Sequence, residues 1–197
     1  MEMMTGGEPV TGGIRKGWIA LGIVALLVLG TVFTYNRLVS LREGIPAAWA
    51  QVENVLQRRY DLIPNLVSTV KGYAKHEREL LTELTKARSQ WGAAKTSADK
   101  LKAANSIEGA LSRLLVVVEN YPNLKANENF LRLQDELAGT ENRVAVERMR
   151  YNEMVRSYNT YVKRFPTNLI ARHFGFEPNE AYFQMAKEAA AAPKVEF

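Results

Sequence analysis

Cysteine is absent from this chain, and histidine occurs only twice in 197 residues. The first absence excludes disulfides, thiolate metal ligands, a cysteine nucleophile and a cysteine-linked lipid anchor. The second leaves little from which to build a metal site. His76 and His173 fall in separate segments, and the carboxylates near His76 (Glu79 and Glu83) are interleaved with Lys75, Arg78 and Lys86. That mixture reads as a solvated helix face rather than a ligand set. No HExxH pair, GxxxxGK[ST] phosphate loop or GxSxG elbow occurs. Glu147 and Glu153 are six residues apart on one expected helix, so they point from different faces. No cofactor and no metal is expected, and enzymatic activity is disfavoured. A hydrolase would require carboxylates such as Glu147 to meet partners from other helices.

A concentrated charge of one sign is also missing. Lys and Arg number 26 against 21 Asp and Glu, a net charge of +5. The basic residues are dispersed among acids, whereas a nucleic-acid domain gathers them into a stripe. Arg143, Arg148, Arg150, Arg156, Lys163 and Arg164 do share one expected helix with Tyr151, Tyr158 and Tyr161. Tyr151 and Tyr158, however, fall on its apolar stripe, where core packing accounts for them. No nucleic-acid partner is expected, and anionic lipid head groups suit the dispersed charge at least as well. Hydrophobic residues make up 47%, too many for a disordered chain. The length leaves room for one domain of about 150 residues beside a membrane segment.

That segment is Gly17 to Tyr35, GWIALGIVALLVLGTVFTY, 19 residues without a charge. At about 1.5 Å per residue it spans roughly 28 Å, close to a bilayer's hydrocarbon core. Trp18 and Tyr35 stand at its ends, where amphipathic rings favour the interface. A cleaved signal peptide would have an apolar region of about 7–15 residues ending in a small-x-small site. This run is longer and leaves through TVFTYN, so an uncleaved anchor is expected. Gly22 and Gly30 would let two anchors approach closely, although they do not form a GxxxG pair. Arg15 and Lys16 precede the run and Arg37 and Arg42 follow it, so flanking charge discriminates little. A short tail with basic residues tight against the membrane favours a cytoplasmic N-terminus and export of the downstream domain. A single pass of the cell membrane with an extracytoplasmic domain is therefore expected. Residues 1–16, with Gly6, Gly7, Pro9, Gly12 and Gly13, read as a flexible tail.

Beyond residue 36 the spacing is helical almost throughout. Trp49, Val52, Val55 and Leu56 draw one stripe. Pro46, soon after Gly44, suits the first turn of a helix, so the membrane helix is expected to bend or break there. Pro64 predicts a second break at Asp61–Asn65. The stripe resumes through Leu66, Val70, Tyr73, Leu80, Leu81 and Leu84 toward Trp91, read as one helix. A connection around 92–97 leads to a third helix marked by Leu101, Ile107, Leu111, Leu114, Leu115 and Val118, which stops at Asn120–Asn123. Phe130, Leu133, Leu137, Thr140, Val144, Tyr151, Val155, Tyr158, Val162 and Phe165 mark the longest helix. Glu147 and Arg148 interrupt its stripe, either pointing outward or fixing register through a partner. So long a seam fits an antiparallel bundle or a coiled coil. Phe174, Gly175, Phe176, Tyr182 and Phe183 follow, to clamp one end of the bundle or to remain an exposed docking surface. The organisation expected is a tail (1–16), a transmembrane helix (17–35), an all-α bundle domain (36–176) and a helical or frayed end (177–197).

Three separated blocks resemble the LemA family of bacterial membrane proteins: VSLREGIPAAWAQVENVLQRRYDLIPNLVSTVKGY in the first half, LQDELAGTENRVAVERMRYNEMVRSYN at Leu133–Asn159, and FPTNLIARHFGF at Phe165–Phe176. The resemblance implies an N-terminal membrane helix followed by a bundle of long antiparallel helices. It implies little about activity, the family having no well-defined biochemical function. Pro46 and His173 depart from the expected pattern. Within the matching blocks, Asn142, Arg143, Asn152 and Asn159 flank the apolar seam, and are expected to hydrogen-bond with Arg58, Arg59, Asp61 and Asn65 across helices. The function expected is a membrane-anchored interaction or scaffold protein, meeting membrane lipid and either its own copies or another membrane protein. An anionic-lipid-binding or membrane-remodelling protein is the alternative.

Overall fold

The computed structural model describes residues 11–74 and 76–183, with side chains from Gly17 onward. Among the described residues the structure is all-α: α1 (Thr11–Tyr60), α2 (Ile63–Tyr73), α3 (Arg78–Ala93), α4 (Ser97–Val118), α5 (Pro122–Lys125), α6 (Glu128–Lys163) and α7 (Thr167–His173).

α1 begins at Thr11, so the expected tail is helical over its last six residues, while residues 1–10 lie outside the described residues. Gly12 and Gly13 are poor helix formers, but extending an existing helix is far easier than nucleating one. The apolar run is exposed along its length, Trp18 at 71% and Phe33 at 72%. Further along the same helix, Leu38, Leu41, Ile45, Trp49, Val52, Leu56 and Tyr60 are buried at steps of three and four.

Of the bend or break expected at Pro46, the break does not occur: α1 continues through it to Tyr60. Pro46 is exposed while its neighbours Ile45 and Trp49 are buried. The carbonyl deprived of a donor therefore lies on the wetter face, and packing on the other face offsets the interior proline penalty. Pro64 behaves as expected, standing in the first turn of α2 after a short turn at Asp61–Leu62. The stretch expected as one helix from Leu66 to Trp91 is divided between α2 and α3. Between Tyr73 and Leu80 there is only Ala74 to place on an apolar face, so nothing would hold a continuous helix there. Tyr73 is accordingly 45% exposed.

Two compact units divide the chain: residues up to Arg42 with Tyr158–Pro178, and Glu43–Ser157 with the segment from Asn179. In the first, Tyr35 meets Phe174 and Phe176 edge-on at centroid distances of 5.0 and 5.7 Å. The Arg42 guanidinium lies 5.9 Å from the Phe176 ring, and the Tyr158 hydroxyl donates to the Glu177 carbonyl at 2.9 Å. Gly175, at φ 71°, turns the chain out of α7 and lets the Phe176 amide donate to the Ala171 carbonyl. Phe165, expected on the seam, lies past the end of α6 and is 74% exposed.

The second unit is a helical bundle, and its pair contacts fix the directions of its helices. α1 meets α6 at Gly44–Met154, Trp49–Tyr151 and Arg59–Thr140, so the two run antiparallel. A Cβ on Gly44 would come within 2.8 Å of the Met154 sulfur, which shows how closely the helices approach there. Glu53 pairs with Lys100 and Arg59 with Glu108, so α1 and α4 run parallel. Glu83–Arg113 and Glu77–Tyr121 make α3 and α4 an antiparallel hairpin. Its connection is capped by Thr96, whose hydroxyl accepts the Asp99 amide at 3.1 Å and donates to the Asp99 carboxylate at 2.7 Å. α6 starts from Asn127, whose side chain accepts the Phe130 amide at 3.0 Å.

Candidate functional site

Arg59 follows Leu56 by three residues and Val52 by seven, which puts a cation on the buried stripe of α1. A buried charge persists only when paired and hydrogen-bonded. Its Nε and Nη2 donate to the two carboxylate oxygens of Glu108 on α4, each at 3.0 Å. Nη2 also lies 2.9 Å from Glu141 Oε2 on α6, and Nη1 donates to the Leu137 carbonyl and to the Thr140 hydroxyl. One guanidinium therefore joins three helices, using the planar fork that lysine lacks. The Arg59 side chain is 8% exposed, against 32% for Glu108 and 50% for Glu141.

Around this centre, burial sets the ionisation. Desolvation raises the Glu108 carboxyl above its ordinary range, although Arg59 pulls it the other way through charge and hydrogen bonds. The Tyr60 phenol is driven far up, mainly by burial and then by the Glu108 charge. Its ring stands edge-on to Trp91 at 5.0 Å, and its hydroxyl has no hydrogen-bond partner among the described residues. Trp91 donates from Nε1 to Gln57 Oε1 at 2.9 Å and carries the Lys100 ammonium 5.6 Å above its ring.

Arg148 joins this centre to a second constellation. Burial lowers its pKa while the charges of Glu141 and Glu108 oppose that shift. Its guanidinium stacks 4.0 Å from the centroid of Phe183. The interrupted seam is thus used on both sides: Glu147 pairs with Arg150, and Arg148 turns to the aromatic ring. Asn152, one turn on, donates from Nδ2 to the Phe183 carbonyl at 3.0 Å and accepts the Phe183 amide on Oδ1 at 2.8 Å. Tyr151 donates to the Ala181 carbonyl at 2.7 Å, and Trp49 lies edge-on to Tyr151 and tilted toward Phe183. These side chains hold an irregular segment mainly by its backbone, with one buried ring as anchor. Of the end expected to be helical or frayed, residues 177–183 are not helical, and 184–197 lie outside the described residues.

The residues expected to form an interhelical polar network separate. Arg59 reaches α6, but at Leu137, Thr140 and Glu141. Arg58, Asn142 and Arg143 are exposed. Asp61 accepts from Gln57 at 2.8 Å and pairs with Arg88, while the Asn65 carbonyl accepts the Thr69 hydroxyl. Asn152 holds Phe183, and Asn159 is buried in the other unit. Arg58 follows the helical angle away from the α1 stripe, while Asn65 shares an open groove with Asn129, Arg132, Leu133 and Glu136 of α6. Glu108 and Glu141 were the overlooked partners. Each immediately follows a stripe position, Ile107 or Thr140, and a cation on the α1 stripe requires such acids. Of the anchor residues, Gly17, Trp18, Gly22, Gly30 and Tyr35 all lie within α1, and a Cβ on any of the three glycines would meet nothing within 4 Å. Among the described residues no group of three or more His, Asp or Glu is placed to hold a metal ion.

The model of the LemA family matches residues 48–197, beginning within α1 beyond its apolar segment. The chain is 28% identical over 189 residues to Protein LemA of Metamycoplasma hominis, covering 91% of this chain and 84% of that one. It is 27% identical over 190 residues to Magnetosome protein MamQ 1 of Paramagnetospirillum magneticum, covering 83% and 69%. To Magnetosome protein MamQ of Magnetospirillum gryphiswaldense it is 24% identical over 194 residues, covering 84% and 71%.

Proposed function

The chain belongs to the LemA family, and from that premise we propose that it is a non-catalytic, single-pass membrane protein whose helical domain serves as an interaction scaffold. The observation that carries this reading is the exposed apolar segment of α1, long and apolar enough to cross a membrane, with none of its most apolar stretch buried. A soluble core helix would bury such a stretch; here lipid is the natural solvent for it. The chemistry-bearing side chains of the bundle support the same reading. Arg59, Glu108 and Glu141 bind one another across three helices, and Arg148, Tyr151 and Asn152 hold the chain's own irregular segment at residues 181–183. Groups committed in this way stabilise a surface rather than act on a substrate. The partners are further copies of this chain or another membrane protein, with neither metal nor nucleic acid required. The domain faces the extracytoplasmic side of the cell membrane, as the basic pair ahead of the segment favours.

Purification in mild detergent followed by mass photometry tests the scaffold. Oligomers or a stoichiometric membrane partner are expected, and a strict monomer at high concentration without a partner would reject it. Orientation is tested separately, since the chain has no cysteine of its own. Ser112, exposed on α4, can be changed to Cys. Labelling by an impermeant maleimide in intact cells is expected, and labelling only after lysis would place the domain inside.

A further inference from the structure

α2 and α3 enclose an open groove of about 730 Å³ whose charge is of one sign. Lys71 from α2 and Arg78 and Lys86 from α3 line it, and among the described residues no Asp or Glu does. Among the described residues none forms an ion pair or hydrogen bond with these three side chains. Arg113, Lys125, Arg150 and Arg156 each have a carboxylate partner; the three groove cations, like the exposed Arg143, have none among the described residues, and what distinguishes them is that they line one groove. The α3 acids Glu79 and Glu83 line a different groove together with His76 and Glu77, and Glu83 is paired there with Arg113.

The rest of the lining narrows the ligand. Val67 and Leu81 give the groove an apolar wall. The hydroxyls of Thr82, Thr85 and Ser89 each donate to the carbonyl four residues earlier, so they turn lone pairs outward and offer an anion no free proton. The donors available to a ligand are therefore the two ammonium groups and the guanidinium. Cations on two different helices suit a compact, multiply charged anion with several acceptor oxygens. The volume is that of a small-molecule site rather than of a single ion. We propose that the α2–α3 groove binds a phosphate monoester that carries an apolar group, its phosphate held by Lys71, Arg78 and Lys86 and its apolar part lying against Val67 and Leu81. The phosphate could come from a soluble ester or from an anionic lipid head group; the chemistry of the groove is the same for both.

The test uses the full chain in nanodiscs of zwitterionic phosphatidylcholine, titrated with hexyl phosphate and followed by calorimetry. Saturable binding is expected, weakened at least tenfold in the K71A/R78A/K86A variant and unchanged in R143A, which removes an exposed arginine elsewhere. Inorganic phosphate is expected to bind more weakly than the hexyl ester. Unaltered thermal melting of the triple variant, whose three side chains are all exposed, shows that folding is intact. No binding of the ester, or equal weakening by R143A, would overturn the proposal. So would tighter binding of a hexaglutamate peptide than of the ester, which would mark the groove as a seat for acidic protein. A second arm adds phosphatidic acid to the nanodiscs: competition with hexyl phosphate assigns the lipid as source, and undiminished binding of the ester assigns a soluble one.

Discussion

Asn152 reads Phe183 as a neighbouring strand would, its side-chain amide donating to the Phe183 carbonyl at 3.0 Å and accepting the Phe183 amide at 2.8 Å. The pair ties the segment from Asn179 to α6 without any secondary structure of its own. Asn152→Ala leaves a largely buried backbone donor and acceptor without their partner, a loss of about 1–3 kcal/mol. Thermal melting of the full chain in detergent should fall accordingly, and proteolysis near residues 179–183 should accelerate. Melting equal to that of the unaltered protein would contradict this role.

Arg59 should matter more. Removing one partner of a buried, hydrogen-bonded ion pair is strongly destabilising, by about 3–5 kcal/mol, because the remaining charges lose their compensation. The partial exposure of Glu108 and Glu141 argues for the lower end of that range for Arg59→Ala. Arg59→Lys is expected to recover only part of the loss, since an ammonium cannot span Glu108 and Glu141 with a planar fork. Full recovery by lysine in denaturant titrations would show that charge alone suffices.

Glu108 makes a prediction with a counterintuitive sign. Its carboxyl is raised in the folded state, by burial first and against the pull of Arg59. A raised carboxyl contributes stability below the unfolded-state value and loses it as pH climbs through the folded value. The stability of the protein relative to Glu108→Gln should therefore decline as pH rises from the ordinary carboxylate range upward. If pairing with Arg59 dominated instead, the same margin would grow with pH. Unfolding free energies of both proteins at several pH values between about 4 and 8 decide between the two.

Leu26 lies in the middle of the exposed apolar run. Leu26→Arg puts a charge at the centre of the segment, at about 2.5–3.5 kcal/mol on insertion scales. The variant should move from the carbonate-resistant membrane fraction to the soluble or aggregated fraction. Retention equal to that of the unaltered chain would argue that the segment does not span the bilayer.

Much of this protein follows from local spacing alone. An uncharged apolar run of bilayer length has no aqueous solution, so the segment Gly17–Tyr35 was legible without a fold. Pro64 and Pro122 remove donors, so the ends of α1 and α4 could be read within a few residues. The stripes at Leu66–Val70, Ile107–Leu114 and Leu137–Val162 reported which faces are buried, because a helical period leaves its mark wherever one side meets a core.

Partnership was not legible in the same way. That Arg59 lies on a buried stripe is a local fact, but its pairing with Glu108 and Glu141 depends on three helices 49 and more residues apart converging. Pro46 shows the converse. Its local propensity favours a helix start, and the packing of Ile45 and Trp49 overrides it. The segment at Phe183 carries no period at all, so its attachment to Asn152, Tyr151 and Arg148 emerges only in three dimensions. Local order along the chain sets where it is apolar, helical and broken, because those properties arise among near neighbours. Which charges meet, and which face the α2–α3 groove without a partner among the described residues, was decided by the fold, because electrostatic pairing depends on distance in space and not along the chain.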